Sequence, residues 1–427
     1  MSTAQVLKAD LLVVGAGPAG IAAVCEFVKA GRSVIWLDQG LRAGGQIWRA
    51  QIAAPWRQRL EQALASPLLR FLPGHAVIAV EASSAQEQRL LLSSLQEPLA
   101  PGRQVAAPQL LLALGARERL LPLPGWTLPG VHGAGGLQAL IKNGWPIRGR
   151  RLLLAGSGPL LLAAADTARA AGAQVLQIIE QAPRSALLGF GLRLGSQHWA
   201  QAAGLAWRLR GTPYKTGCWV SQALGEHKLE AVQISDGQAS WTLDCEALGL
   251  GFGLQPNTEL AALLACTIED GAIKVDARQQ SSRAGIYAAG ECTGVGGVGK
   301  ALLEGQLAAR QMLGQDGRTS TRALRLARRH ARLVAEQFDL RPELFKLAEA
   351  RTLICRCEDV SLGELKPFAD WRSAKLQTRC GMGACQGRIC GPIAQDVLGW
   401  PAQTAERGMR TPLQPTSIAC LLGDDPA

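Results

Sequence analysis

Residues 9–38 place the tightest limit on what this chain can fold into. Ala9-Asp-Leu-Leu-Val-Val14 is a short apolar run without alternation, the pattern of a strand buried on both faces of a parallel sheet. It runs into Gly15-Ala-Gly17-Pro-Ala-Gly20, a helical stretch to Ala30, a left-handed cap at Gly31, and a second strand from Ser33 to Leu37 that ends at Asp38. Each glycine has a steric task. Gly15 makes the tight turn, Gly17 lets a pyrophosphate approach the backbone, and Gly20 lets helix and strand pack closely. The helix N-terminus faces the phosphates, and Asp38 is placed to accept from ribose hydroxyls.

The unit then repeats. Arg151-Leu-Leu-Leu-Ala155 leads into Gly156-Ser-Gly158-Pro-Leu-Leu161, a helix to Ala171, a cap at Gly172 and a strand ending at Glu180. Here Leu161 replaces the third glycine. A leucine at that point pushes helix from strand and should reshape the phosphate turn. Two readings stay open for this second copy: an adenine-nucleotide site, or an emptied fold kept for structure. If Gly156, Gly158 and Glu180 do hold a nucleotide, the free carboxylate favours NAD or ATP over NADP.

Length and charge narrow the class. A chain of 427 residues exceeds one ordinary core, so two or three domains are expected. With 48% hydrophobic residues and 49 glycines it suits an α/β protein rich in tight turns. The longest apolar runs fall short of a membrane span. The cytoplasm is the expected compartment, where clustered cysteines more often mean metal than disulfides. The net charge of +11 is partly concentrated in Arg318, Arg322, Arg325, Arg328, Arg329 and Arg332. Leu324, Ala327, Ala331, Val334 and Phe338 recur there at helical spacing, giving an amphipathic basic helix. A solvated linker face, an acidic partner and peripheral contact with the inner membrane are all compatible with it. Nucleic acid is excluded, because no basic stripe with stacking aromatics accompanies the charge.

Five of the eleven cysteines crowd one short stretch: Cys355-Arg356-Cys357, then Cys380, Cys385 and Cys390 within Thr378-Arg-Cys-Gly-Met-Gly-Ala-Cys-Gln-Gly-Arg-Ile-Cys390. Thiolates spaced C-x-C and C-x4-C can hold zinc, an iron–sulfur cluster or nothing. Structural zinc prefers C-x2–4-C knuckles in both halves, so C-x-C is atypical for it. An iron–sulfur cluster has a purpose beside a nucleotide-type redox cofactor, since it splits two-electron chemistry into single-electron steps. Arg356, Arg379 and Arg388 lie beside the cysteines, where their charge would ease reduction of an anionic cluster. Cys25, Cys218, Cys245, Cys266 and Cys292 are unpaired in sequence, which argues against dithiol chemistry and for small buried apolar residues.

The tandem fingerprints resemble the two-dinucleotide-binding flavoprotein oxidoreductases, in which an FAD domain is interrupted by a second nucleotide domain. Gly44-Gly-Gln-Ile-Trp48, Leu110-Leu-Leu-Ala-Leu-Gly-Ala116 and Gly285-Ile-Tyr-Ala-Ala-Gly-Glu291 look like that family's flavin-side turn, exit strand and return segment. The resemblance implies FAD contacts at Gly15, Gly17, Gly20, Asp38, Gly45, Gln46, Val77, Gly115, Gly290 and Glu291. Glu291 stands where Asp is commoner. The cysteine stretch resembles the bacterioferritin-associated-ferredoxin-type [2Fe–2S] domain, which implies Cys355, Cys357, Cys385 and Cys390 as ligands and Cys380 as a spare thiol.

The whole chain is similar to the α subunits of bacterial heteromeric FAD-dependent amino- and imino-acid dehydrogenases, the group that includes D-hydroxyproline dehydrogenase, opine oxidase, dye-linked proline dehydrogenase and hydrogen cyanide synthase. The expected architecture is an α/β tandem Rossmann-like flavoprotein with a small [2Fe–2S] domain. It divides as 1–125 (FAD domain, first part), 126–250 (NAD-like domain), 251–317 (FAD domain, return part), 318–350 (basic helical linker) and 351–420 (cluster domain). That division leaves no segment for a substrate domain. The five histidines, His75, His132, His198, His227 and His330, form no base-plus-orienter pattern, so no catalytic base is nominated. The resemblance therefore implies a conduit. An FAD-containing β subunit would oxidise the amino or imino acid, a small iron–sulfur subunit could accompany it, and a quinone or other acceptor would take the electrons. A self-sufficient NADH-dependent flavin and iron–sulfur reductase is the alternative.

Overall fold

The computed structural model describes residues 6–49, 52–315, 321–401 and 409–422; Arg318 of the basic run and the side chain of His198 lie outside the described residues. The chain forms two compact units, Met1–Arg117 with Gln255–Arg329 and Gln403–Ala427, and Glu118–Leu254 with His330–Ala402.

The first unit is built on a five-stranded parallel sheet in the order Ile286–Ala288, Gln109–Leu112, Leu11–Val14, Val34–Asp38, Leu69–Pro73. The central strand Leu11–Val14 is covered on both faces, as its unbroken apolar run requires. Helices Pro18–Lys29 and Gly297–Met312 meet where Gly305 approaches Ala19; a Cβ on Gly305 would fall 2.2 Å from the Ala19 carbonyl oxygen. A second sheet, ordered Leu7–Lys8, Arg103–Ala107, Gln88–Ser94, His75–Ser83, shares a core with the first through Leu12, Ile35, Leu90, Leu92, Leu110 and Ile286. The last described stretch belongs to this unit as well: Leu413 donates its N–H to Ile78 O at 2.8 Å, and Cys420 is buried beside Ile78 and Leu91.

The second unit repeats the plan. Its parallel sheet runs Val131–Gly133, Ala247–Gly251, Arg151–Gly156, Gln174–Glu180, Tyr214–Thr216, and the antiparallel strands Trp219–Leu224, Ala231–Ser235 and Ser240–Asp244 form a second sheet. The cysteine-bearing segment has no core of its own. Leu340, Leu344, Ile354, Leu365, Trp371, Ile393 and Trp400 pack in one cluster with Leu121, Leu123, Trp126, Trp219 and Val232 of the nucleotide fold. Polar ties reinforce that seam: the Trp126 indole donates to Leu353 O at 2.9 Å, and Arg119 grips Asp396 with two bonds of 2.8 and 2.6 Å. A bidentate guanidinium–carboxylate pair fixes orientation as well as distance.

The basic segment forms one helix, Thr321–Gln337, with Leu324 and Leu333 buried along its apolar side and Arg322, Arg325, Arg329 and Arg332 exposed. Among the described residues no helix is long and apolar enough to cross a membrane.

Candidate functional site

In the first unit the fingerprint turn is made by backbone proximity. Gly15 has φ +111°, and a Cβ there would lie 2.1 Å from Ala113 O; a Cβ on Gly20 would lie 2.0 Å from Gly15 O. Gly17 differs: it caps helix Pro18–Lys29 and faces open space, with nothing within 4 Å of a Cβ position. That gap, in front of a helix N-terminus, is the shape and polarity a pyrophosphate needs. The Gly44-Gly45 turn closes over it. Gly44 donates to Ala16 O at 2.7 Å, and a Cβ on Gly45 would meet Gly17 Cα at 2.9 Å. Asp38 accepts from Ala16 N and Gly40 N, both at 2.6 Å, and burial pushes its carboxyl above the ordinary range against those two bonds. Each carboxylate oxygen keeps a further lone pair for a ribose hydroxyl.

The remaining first-unit residues are placed less uniformly. Gly115 (φ +69°) and Gly290 (φ +89°) make turns after the strands Gln109–Leu112 and Ile286–Ala288. Gln46 is exposed and pairs with Arg49. The Val77 side chain is packed in the core, and its strand pairs it with Leu92. Glu291 turns to the start of helix Gly297–Met312, accepting from Gly297 N at 2.8 Å and Gly296 N at 3.2 Å, and burial raises its carboxyl. Behind it lies a network that sequence reasoning did not nominate. Buried Glu304 takes Lys300 Nζ at 2.8 Å, Gly290 N at 3.0 Å and the Arg328 guanidinium at 2.9 Å. Lys300 also donates to Gly290 O and Gly294 O, so it clamps the turn that carries Glu291. The i,i+4 Lys300–Glu304 spacing was the available sequence signal.

The second fingerprint has a different outcome. Gly156 still passes the sheet closely, with its Cβ position 1.8 Å from Gly251 O. Gly158 adopts φ +90° where Gly17 has φ −78°, and the helix starts at Leu160, one residue later than its counterpart. Leu161 is fully buried against Gly251. Together these bear out the expected reshaping of the phosphate turn. In front of the turn stands the chain itself. The Phe338 ring lies 3.6 Å from the Gly158 Cβ position, Ser157 Oγ donates to Phe338 O at 2.8 Å, and Gln181 Nε2 donates to Asp339 O at 2.9 Å. Glu180 is 0% exposed; it accepts from Gly158 N and Ala182 N at 2.8 and 2.9 Å, with Tyr214 Oη at 3.3 Å. Burial holds its carboxyl above the usual range.

The cysteine site sits on strand Leu353–Cys355, the loop after helix Trp371–Thr378, and the first turn of helix Cys390–Leu398. A pocket of about 220 Å³ is lined by Cys355, Cys357, Cys385 and Cys390 together with Leu120, Arg356 and Ile389. The loop fits closely: a Cβ on Gly383 would overlap Cys357 Cβ at 2.3 Å. Cys355, Cys380 and Cys390 also form a buried trio whose sulfurs lie within 4.8 Å of one another. Sulfur-to-sulfur hydrogen bonds pull Cys385 down to about 5 and push Cys380 up to about 12. Four thiols converging on a small concave space are a donor set suited to a thiolate-bound metal cluster. The three arginines are not equivalent. Arg356 lines the pocket with its guanidinium 5.4 Å from the Trp126 ring centroid, whereas Arg379 is paired with Glu358 at 2.8 Å.

Residues 9–314 match the pyridine nucleotide-disulphide oxidoreductase family. The chain belongs to this family. It is 33% identical to one of the opine oxidase subunits of Rhizobium meliloti (strain 1021), over 96% of this chain and 97% of that protein. It is 32% identical to the hydrogen cyanide synthase subunit HcnB of Pseudomonas aeruginosa, over 91% and 92%. L-proline dehydrogenase from P. horikoshii has a similar fold, with a TM-score of 0.65 at 17% identity over 98% of this chain and 80% of that one. T. acidophilum thioredoxin reductase aligns over 72% of this chain and 98% of its own, with a TM-score of 0.57 at 19% identity.

Membership of the pyridine nucleotide-disulphide oxidoreductases makes the chain an FAD-dependent oxidoreductase. Among the described residues all cysteines are free thiols. Burial raises Cys25 and Cys292 to about 11 and Cys245 to about 12, so these thiols stay protonated and packed.

Proposed function

We propose that the chain is the FAD- and [2Fe–2S]-carrying electron-transfer subunit of a heteromeric dehydrogenase acting on a D-amino or imino acid, of the D-hydroxyproline or opine type. The observation that carries this reading is the pocket shared by Cys355, Cys357, Cys385 and Cys390 in a chain whose other unit is an FAD fold. The relatives' designations as subunits of opine oxidase and hydrogen cyanide synthase support a partner. Substrate oxidation belongs to a flavoprotein β subunit, with a quinone and a small iron–sulfur subunit as further candidates for the electron path.

Each group keeps a limited role. Gly15, Gly17, Gly20 and Asp38 hold the FAD phosphates and ribose, and Gly45 closes that turn. The Lys300–Glu304 pair fixes the Gly290–Gly294 turn beside the cofactor. The four cysteines hold the cluster and Arg356 offsets its negative charge. Bound there, the cluster supplies one-electron transfer.

The alternative, an NADH-dependent reductase, needs the second fingerprint open. Phe338 against Gly158 and the fully engaged Glu180 speak against it.

The test is copurification from the native host followed by dye reduction with D-hydroxyproline, L-proline and an opine. The complex should reduce dye and the purified chain alone should not. Full-rate oxidation by the chain alone would overturn the division of labour.

A further inference from the structure

Residues 181–225 carry Arg184, Arg193, Arg208, Arg210 and Lys215 and no aspartate or glutamate. Two helices of the second unit bring that stretch to the surface. Helix Arg184–Arg193 has no buried residue, although Ala186, Leu187, Leu188, Phe190 and Leu192 make half of it apolar. Its inner side is accounted for. The Phe190 ring meets those of His330 and Phe338 at 6.1 and 5.2 Å between centroids, and a Cβ on Gly189 would lie 2.9 Å from Gln337 Oε1. The outer side has no such cover: Leu188 is 69% and Leu192 88% exposed, one turn apart on the same face. Helix Ser196–Arg208 extends the patch. The Trp199 indole lies 3.9 Å from the Gly191 Cβ position, and Trp199 and Trp207 are both more than half exposed.

Large apolar side chains left in water gain free energy when a second surface covers them, and a cluster of them marks an interaction site. Tryptophan and arginine together are the residues on which interfaces concentrate their binding energy. Charge decides what covers them here. Arg184 is exposed one turn before Leu188, and Arg193 follows Leu192 with Glu336 4.0 Å away. Arg208 is tied to Asp166 at 2.8 Å, and the Arg210 guanidinium lies 4.4 Å from the Trp207 ring centroid. A second copy of the chain meeting this face across a two-fold axis would set one cationic rim against another. A lipid surface fits poorly as well. An interfacial helix segregates its charges from its apolar face, whereas Arg184, Leu188 and Leu192 stand in line at i, i+4 and i+8. What matches is a protein face with an apolar centre and carboxylates at its rim. Resting on the heteromeric reading above, we propose that helices Arg184–Arg193 and Ser196–Arg208 form the docking surface for the substrate-oxidising flavoprotein subunit. That subunit places an acid-rimmed apolar face on Leu188, Leu192 and Trp199.

The test copurifies the full chain with its partner from the native host, then compares wild type with Leu192→Asp and Arg184→Glu. Leu99→Asp, at a site of the other unit that is 80% exposed, is the control. All three positions face solvent, so FAD content and melting temperature should match wild type. The partner is identified by its bound flavin and by dye reduction with an amino or imino acid, and its affinity for each variant is measured by titration of the separated components. Leu192→Asp and Arg184→Glu should each raise the dissociation constant about tenfold or more, while Leu99→Asp leaves it unchanged. Added salt should weaken wild-type binding more than it weakens binding of Arg184→Glu. Variants that assemble as tightly as wild type would overturn the proposal. It would equally be overturned if Leu192→Asp assembled normally with the flavoprotein but lost binding to phosphatidylglycerol vesicles, or lost self-association in sedimentation. Failure of the wild-type chain to copurify with any flavoprotein would instead remove the heteromeric reading, and this occupant with it.

Discussion

Phe338 covers Gly158: its ring lies 3.6 Å from where a Cβ on that glycine would be. Around it Ser157, Gln181 and Glu180 spend their hydrogen bonds on the chain's own backbone and side chains. A buried group already satisfied within the fold gains little by exchanging partners with a ligand. The second Rossmann-like unit packs against the segment that leads to the cysteines. The expected outcome is that NADH or NADPH mixed anaerobically with the FAD-loaded protein leaves the flavin spectrum oxidised. Phe338→Ala should lower stability by about 1–3 kcal/mol without creating fast bleaching, because Glu180 stays engaged. Stopped-flow absorbance measures the first, and urea denaturation the second.

Glu180 gives this unit a pH signature. Burial is the main cause of its raised pKa, opposed by the Ala182 and Gly158 amides. A carboxyl raised in the folded state binds its proton more tightly there than in the unfolded chain. Its contribution is full below the ordinary value of 4.5 and is lost as pH rises through the raised folded value. Glutamine carries no charge at any pH and turns an N–H toward one of the two amide donors, at a cost of about 1–3 kcal/mol. Glu180→Gln should therefore melt below wild type in acid, with the gap narrowing toward neutral pH. A gap that widened with pH would contradict this environment.

The first fingerprint separates folding from cofactor binding glycine by glycine. A methyl group on Gly15 or Gly20 would fall 2.1 or 2.0 Å from a backbone oxygen, whereas one on Gly17 meets nothing within 4 Å. Gly15→Ala and Gly20→Ala should fall in the severe range, above about 4 kcal/mol, and yield little soluble protein. Gly17→Ala should fold with a near-normal melting temperature and lose FAD on gel filtration, because its Cβ takes the phosphate's space. Flavin-to-protein absorbance ratios give the readout.

How much of this was legible depends on how local each constraint is. The parallel strands, the glycine turns and the family resemblance follow from runs of a few dozen residues, because a tight turn or a buried strand leaves its mark in neighbouring positions. The second copy also announced its distortion, since Leu161 replaces a glycine whose absence moves the helix start. The contact of Phe338 with this turn did not announce itself. Ser157 and Phe338 are 181 positions apart, and nothing in the spacing of Leu324, Ala327, Ala331, Val334 and Phe338 shows that Phe338 packs on a distant glycine turn. The engagement of Glu180 by the Gly158 and Ala182 amides was hidden for the same reason, because an acid at a strand end reads identically whichever way it faces. The cysteine cluster was visible in composition, but which sulfurs face the cavity is a matter of side-chain direction that spacing alone leaves open.

The cysteine pocket predicts separable losses. Replacing any one of Cys355, Cys357, Cys385 or Cys390 by alanine removes part of the cavity wall and one of its four cysteine sulfurs. Cluster absorbance should disappear in each variant while flavin content stays at the wild-type level, since Gly15, Gly17 and Asp38 belong to the other unit. Stability should respond unequally. Cys355 and Cys390 are each 1% exposed and packed in the core, whereas Cys357 is exposed. Cys355→Ala and Cys390→Ala should lower the melting temperature of the cluster-free protein further than Cys357→Ala. Equal effects would place the four sulfurs in like environments.

The Lys300–Glu304 pair is the feature whose removal should couple folding to cofactor retention. Both side chains are almost wholly buried, 4% and 1% exposed, and their 2.8 Å contact is extended by Arg328 to Glu304 at 2.9 Å. Breaking one side of a buried pair leaves an uncompensated charge, which costs about 3–5 kcal/mol, whereas replacing both members by apolar groups of similar volume can be nearly neutral. Arg328 still compensates Glu304 when Lys300 is lost, so Lys300→Met should destabilise by less than that amount in urea denaturation, and Lys300→Met with Glu304→Leu should recover part of the loss. The recovery should stop short of full. Lys300 also donates to Gly290 O at 3.0 Å and Gly294 O at 2.8 Å, and Glu304 accepts from Gly290 N at 3.0 Å, so the double variant leaves that turn unheld. Because the turn carries Glu291, FAD should dissociate faster from both variants than from wild type. A double variant that regained stability and also retained FAD as tightly as wild type would show that the buried pair is dispensable for holding the turn.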